Sequence, residues 1–451
     1  VRLLLLNPPF SGLYHKLGFI LPPLGLAYLA SSLRRQGHSV SIKDLNVEEP
    51  PSDLSGYDLV GITADTPRYP LALAWAKRAK EAGTAVVLGG PHVSFQDEEA
   101  LRTGWVDFVV RGEGETIFPA LVNSWQGGED LSSLPGLSYL EQDLIKRTPD
   151  AELPADLDAL AFPARDLLPI DLYRRLELAG RPITSIITSR GCPFNCTFCA
   201  SSRFSGTRWR TRSISSILEE IEEIIGRYGF SALAFLDDNF TLDPDRVLQI
   251  CEQILHQGWD LKWWCFSRPD TLIKNDAMVE AMAAAGARYV FMGIESASQG
   301  VLDAYGKRAH PGMAESAVRL LRRYGIDTTG SYVLGEVGET EEMARATISQ
   351  AIQLRVASAQ FSLLTPYPGT DLFERLRGRI FEPDWSRYDC MHPTIRLDHL
   401  SPERLSELLR LAYRAFYLRP SRVLKGLLSP FRLRGIKVGA IRDMMAALRE
   451  M

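Results

Sequence analysis

Three cysteines fall within eight residues of each other in Ser189-Arg190-Gly191-Cys192-Pro193-Phe194-Asn195-Cys196-Thr197-Phe198-Cys199, with the spacing C-x3-C-x2-C. Three thiolates on one loop that carries glycine and proline can hold three irons of a four-iron cluster and leave the fourth without a protein ligand, open to chemistry. The other readings of such a trio are a structural zinc site, a redox dithiol made of Cys196 and Cys199, and buried unpaired thiols. A closed zinc site needs a fourth ligand, and no neighbouring Cys or His completes the set. A dithiol leaves Cys192 unexplained. The spacing favours the open cluster.

With an aromatic residue, Phe198, before the last cysteine, the stretch resembles the signature of the radical S-adenosylmethionine (SAM) superfamily. The resemblance implies a 4Fe-4S cluster on Cys192, Cys196 and Cys199. SAM would chelate its open iron, and an electron from the cluster would break the sulfonium to give a 5'-deoxyadenosyl radical.

The residues that must position this loop form a second alternation of strands and helices, with strands at 183–188, 232–236, 261–266, 288–293, 327–334 and 357–364. Six such strands with their helices predict a partial (β/α)6 TIM-like barrel whose site lies at the carboxyl ends of the strands. The cysteine loop follows the first of them. After the second come Asp237 and Asp238, which alone read as a helix-capping turn but resemble a loop that lies beside SAM in the cobalamin-dependent branch of the superfamily. Arg268, after the third, could pair with the SAM carboxylate or lie on the surface. Gly293-Ile294-Glu295-Ser296, after the fourth, resembles the family's G-I-E-S motif, which implies Glu295 and Ser296 as SAM contacts. Ser331-Tyr332-Val333-Leu334-Gly335, in the fifth strand and its turn, resembles the family's glycine-rich fifth strand and turn, and Phe198 and Ser331 complete the expected SAM-binding set. Glu339 and Thr340 are placed to start the next helix.

Ahead of the barrel, short apolar runs at 2–6, 39–44, 58–62, 84–88 and 106–110 alternate with helical patterns, which predicts a parallel, doubly wound sheet. Ligands on such sheets bind past the carboxyl ends of the strands. The residues there are Asn7-Pro8-Pro9, Thr63-Ala64-Asp65-Thr66, Gly89-Gly90-Pro91-His92 and the 111–115 turn with Gly112, Glu113 and Glu115. Together with Pro22-Pro23-Leu24-Gly25, they resemble the flavodoxin-like (Rossmann-type) cobalamin-binding domain found ahead of the radical SAM domain. The resemblance implies that these residues bind cobalamin. One departure is specific: where methionine synthase-type domains carry D-x-H-x-x-G, this chain has Asn7-Pro8-Pro9-Phe10-Ser11-Gly12. Proline has no side-chain donor, so a base-off cobalt without a protein histidine is expected. His15 is the only rival in that loop.

The chain of 451 residues is too long for one ordinary domain. The expected division is a cobalamin-binding domain (1–140), a proline-rich connector (141–182), the radical SAM barrel (183–370) and a mainly helical C-terminal region (371–451), with a helix near 402–417 capping the barrel mouth. A composition of 45% hydrophobic and 24% charged residues is that of a globular enzyme. A net charge of -4 gives no argument for nucleic acid. Residues 1–6 meet Asn7-Pro8-Pro9 too soon for a secretory signal. Cys251, Cys265 and Cys390 are scattered and form no disulfide framework, so a cytoplasmic location is expected. From Leu411 to Arg442 there are eight Lys and Arg and no acid, which suits either a solvated helix face or weak contact with a membrane surface. The expected function is a cobalamin-dependent radical SAM methyltransferase acting on an unactivated carbon of a small molecule or lipid, with electrons from a flavodoxin- or ferredoxin-type donor. The alternative is a non-methylating reaction on the same cofactors, such as oxidative cyclisation or rearrangement.

Overall fold

The computed structural model describes residues 1–10, 12 and 18–419. His15 and the basic stretch from residue 420 onward therefore lie outside the described residues. The first sheet contains β1 (Arg2–Asn7), β2 (Ser39–Asp44), β3 (Leu59–Thr63), β4 (Ala85–Gly89), β5 (Phe108–Val110), β6 (Leu137–Glu141) and β7 (Leu144–Arg147). Its order is β2-β1-β3-β4-β5-β6-β7, parallel from β2 to β5 and antiparallel beyond. The chain leaves β1 to one side and returns to β3 on the other, so a topological switch point opens between them. Successive leucines of β1 serve opposite faces, as a strand dictates. Leu3 and Leu5 pack with the helices Leu24–Arg35 and Gly114–Gly127, and Leu4 and Leu6 pack with Tyr69–Glu81 and Asp97–Arg102.

The β6–β7 hairpin carries the sheet past residue 140. Its two-residue turn places Gln142 and Asp143 at φ 50° and 63°, a conformation usually signalled by Asn-Gly. The sequence lacks that signal.

The second sheet has the order β16-β15-β14-β13-β12-β9-β8. Its six parallel strands are β9 (Arg181–Ile186), β12 (Ala232–Phe235), β13 (Lys262–Ser267), β14 (Ala287–Glu295), β15 (Asp327–Leu334) and β16 (Ser358–Leu363), with β8 (Glu177–Leu178) antiparallel on β9. This is the expected half-barrel. One side is sealed by the helical layer through residues such as Phe235, Trp263, Val290 and Phe361. The alternate residues Trp264, Phe266 and Phe291 turn away from that layer and meet edge to face, with centroids 5.0 and 5.1 Å apart. Side-chain caps start the helices: Asp243 accepts from the amides of Asp245 and Arg246, and Thr340 from that of Met343.

The connector is a largely exposed strap pinned down at a few buried residues. Arg165, fully enclosed, pairs with Glu220 at 2.6 Å and donates to the Ser185 carbonyl at 2.8 Å. Tyr173 donates to Asp44 of β2 at 2.6 Å. The helix Pro402–Tyr417 differs from expectation, because it covers the open edge of the sheet and not the mouth. Strand β16 is last in order, so its outer backbone groups need partners. The Tyr413 and Tyr417 hydroxyls supply them, donating to the carbonyls of Phe361 and Ala359, both at 2.9 Å, and accepting from the amides of the same residues. The mouth is crossed instead by the chain that follows β16. There Leu372 donates to the Thr197 carbonyl at 3.0 Å and Trp385 to Glu99 of the first domain at 3.0 Å.

Candidate active site

The cysteine loop rises from a two-stranded ribbon, β10 (Ser189–Arg190) paired antiparallel with β11 (Arg210–Thr211). Gly191 has φ +84°, and a Cβ there would collide with the Arg208 carbonyl, so only glycine fits. The Cys192 amide donates to the Gly206 carbonyl at 3.2 Å, and the Cys199 amide to that of Cys196 at 3.0 Å. All six cysteines are unpaired. Burial pushes the Cys192 thiol up to about 11 and that of Cys199 upward, with neighbouring thiols adding to the rise in both. Metal binding there would release protons. Among the described residues no three Cys, His, Asp or Glu converge on a single ion. A four-iron cluster takes one thiolate per iron and does not require that convergence. Amides of Phe194 and Ser202 point at Cys192 and Cys199, and Arg268 Nη1 lies 3.6 Å from Cys196 Sγ. The three residues and their donors fit the cluster.

The expected SAM contacts divide into two groups. Asp237 is fully buried, and its carboxylate accepts from the Thr188 amide at 2.7 Å and from the Thr188 and Ser189 hydroxyls, both at 2.6 Å. Ser296 is also enclosed, between Thr347 Oγ1 and the Ser298 amide, both at 3.1 Å. Glu295, at φ +66°, ion-pairs with Lys307, and Gly293 leaves the room for that pair. These three side chains are committed to internal partners. Asp237 thereby anchors the residues that lead into the cysteine loop. Asp238, by contrast, lines a cavity and accepts from Ser201, and burial raises its pKa. Phe198 lies half-buried, edge-on to Tyr305 at 5.0 Å, and Ser331 is half-buried on β15. Arg268 is buried over the Phe194 ring at 3.7 Å and held by Asp270 at 2.9 Å, so it faces the cysteine loop and not the surface.

A cavity of about 320 Å³ lies between the carboxyl edge of the first sheet and the base of the cysteine loop. Gly25, Thr63, Gly89, Gly90, Pro91 and Gly112 line it, as do Glu113 and Glu115. Gly90 has φ +110°, and a Cβ there would stand 2.8 Å from the Ala64 carbonyl oxygen. Other expected cobalamin residues are placed elsewhere. Asn7 bonds Asp44 at 2.8 Å and Arg68 at 2.9 Å. The Pro8 carbonyl accepts from Asn46, and Pro9 is half-buried beside it. Leu24 is in the core, and buried Ala64 exchanges backbone bonds with Gly89 and His92. His92 is enclosed against Tyr69 and Trp385, with Nδ1 3.2 Å from Thr66 Oγ1, and burial lowers its pKa to about 3. It is a neutral packing residue.

Asp65 and Thr66 line a second cavity of about 340 Å³, together with Ala200 next to Cys199 and with Gln360, Tyr367 and Cys390. Pro91 lines both cavities, so they abut at that turn. Tyr28 and Arg190, which had no role assigned from sequence, also line the first cavity. Tyr28 follows Gly25 by three positions on one helix face, a spacing that could have indicated it. Arg190 stands inside the cysteine motif itself.

The B12 binding domain family matches residues 11–122 and the Radical SAM superfamily residues 186–351. An uncharacterized methyltransferase of Pyrococcus horikoshii is 40% identical over 94% of this chain and 94% of its own length. The hopanoid C-3 methylase of Methylococcus capsulatus is 28% identical over 89% of this chain and 78% of its own. The anaerobic magnesium-protoporphyrin IX monomethyl ester cyclase of Cereibacter sphaeroides is 27% identical over 93% and 71%. The solved structure of the radical SAM methyltransferase TsrM from Kitasatospora setae, with cobalamin and a [4Fe-4S] cluster bound, shares the fold at TM-score 0.73 and 20% identity, over 100% of this chain and 99% of that one. With both domains in this order and 40% identity to a relative over 94% of both chains, the chain belongs to the cobalamin-dependent radical SAM family.

Proposed function

We infer that the protein is a methyltransferase that places a methyl group on an unactivated carbon of a small-molecule or lipid substrate. The observation that carries this reading is the shared wall of the first cavity: Ser189, Arg190 and Asp238 of the barrel face the same space as Gly25, Thr63 and Gly89 of the cobalamin domain. When bound, the cluster with SAM supplies a deoxyadenosyl radical and cobalamin supplies a transferable methyl group. Cys192, Cys196 and Cys199 would hold the cluster, with Asp237 fixing the start of their loop through Thr188 and Ser189. The glycine turns admit a large ring to the sheet edge. The second cavity, adjoining the first at Pro91 and the cysteine loop at Ala200, is the proposed substrate chamber. Its walls come from both domains and from the crossing chain that carries Cys390.

We also propose that the described residues supply no imidazole to the cobalt. In support, His92 is locked against Thr66 and Tyr69, and no histidine lines either cavity among the described residues. A cobalt(II) electron paramagnetic resonance (EPR) spectrum coupled to one axial nitrogen would overturn this. No helix among the described residues is long and apolar enough to cross a membrane. We propose a reducing cytoplasm, which the six free thiols support, and an external flavodoxin- or ferredoxin-type electron donor. The second reading, a non-methylating radical reaction, is favoured by the similarity to the cyclase of Cereibacter sphaeroides. Anaerobic turnover with candidate substrates separates the two. S-adenosylhomocysteine and 5'-deoxyadenosine formed in step with a methylated product support the methyltransferase, and 5'-deoxyadenosine alone supports the alternative.

A further inference from the structure

We propose that Glu113 is a positioning residue that clamps the base of the cysteine loop to the cobalamin domain and so sets where the cluster stands relative to the cobalamin cavity. The three cysteines lie between β10 and β11, whose pairing places Arg190 directly opposite Arg210. Two cations opposite each other on a ribbon repel. Both reach one carboxylate across the domain boundary. Arg190 Nη1 is 2.9 Å from Glu113 Oε2, and Arg210 donates to Oε2 at 3.0 Å and Oε1 at 2.5 Å. Glu115 takes the other arm of Arg190 at 2.6 Å. Glu113 immediately precedes the helix Gly114–Gly127, yet its side chain makes no capping bond. Its charge is therefore committed to the ribbon.

The geometry makes the contact directional. A guanidinium fork on a carboxylate fixes orientation as well as distance, and the side chains of Glu113 and Arg210 are only 3% and 2% exposed. Arg210 is also held by the carbonyls of Pro154 and Ser205, at 2.8 and 2.9 Å, and Arg190 lies over the Tyr28 ring at 5.2 Å. Two acids and two bases compensate each other, so the clamp holds without net charge. Removing one acid leaves the two arginines to repel across the ribbon.

The proposal rests on reading this loop as the cluster loop, and the test separates the two. In the cofactor-free full chain, Glu113→Gln should raise amide hydrogen exchange in peptides covering 189–211 about tenfold while the sheet cores stay protected, and Glu113→Asp should restore part of that protection. In the reconstituted protein, compared at equal measured iron and cobalt contents, Glu113→Gln should weaken or broaden the magnetic interaction between the reduced cluster and cobalt(II). Arg210→Lys, which keeps the charge but loses the fork, should show the same spectral change in smaller degree. Unchanged exchange in 189–211, a uniform rise across the whole chain, or an unchanged cluster–cobalt interaction overturns the clamp. Faster exchange in a chain that binds no iron supports the clamp and overturns the cluster reading.

Discussion

Replacing Arg268 by Met should lower the reduction potential of the cluster. The guanidinium lies 3.6 Å from Cys196 Sγ in a buried setting. At that separation, with an effective dielectric near 20, a unit charge on the sulfur would interact by about 5 kcal/mol. The electron added on reduction spreads over the whole cluster, so about 2 kcal/mol of this bears on the couple, which for one electron is about 85 mV. The sign is negative, because the lost cation stabilised the more negative, reduced form. Asp270, which pairs with Arg268 at 2.9 and 3.3 Å, carries the same charge in parent and variant and so adds nothing to the shift. Arg268→Met with Asp270→Asn removes both charges and should show less than half of it. EPR-monitored redox titration of reconstituted protein reads the midpoint, after iron analysis has shown that the cluster is bound. A midpoint for Arg268→Met within about 20 mV of the parent, or shifted upward, refutes the electrostatic reasoning.

Tyr413→Phe removes the hydroxyl that satisfies both backbone groups of Phe361. Leaving a buried amide and carbonyl unpaired should cost about 2–3 kcal/mol, read as a lower urea midpoint, with Tyr417→Phe costing less. Burial raises the Glu339 carboxyl to about 7 from an ordinary 4.5. Its stabilising contribution is therefore complete below pH 4.5 and lost as pH rises through 7. Glu339→Gln should match the parent near pH 5, exceed it in urea midpoint at pH 8, and still accept from the Gly335 amide. Gly90→Ala forces a Cβ against Ala64 and should weaken cobalamin retention about tenfold. Gly112→Ala, at φ +78° with open space around it, should lose less, since it adds only the strain of a positive φ, about 1 kcal/mol. Cobalt content after gel filtration compares them.

The strands of both sheets could be read from sequence because short apolar runs separated by glycine and proline have few other solutions, and the C-x3-C-x2-C spacing carries its own chemistry. The glycine turns at 89–90 and 112 were legible for the same reason, since the residue type states the backbone it permits. What lay out of reach is direction and long-range partnership. Asp237 and Asp238 are adjacent in the chain, yet one points into the protein to hold Thr188 and Ser189 and the other into the cavity, as successive residues leaving a strand do. Glu295 and Ser296 look exposed on a motif, but Lys307 and Thr347 claim them. Glu113 finds Arg190 and Arg210, 77 and 97 residues away, and Tyr413 finds the edge of β16. No local pattern encodes these pairs, because each is chosen by which unsatisfied charge or backbone group the packed layers bring within reach. The chain alone determined that a cluster loop and a cobalamin sheet would form, and the tertiary structure decided how they are fastened together.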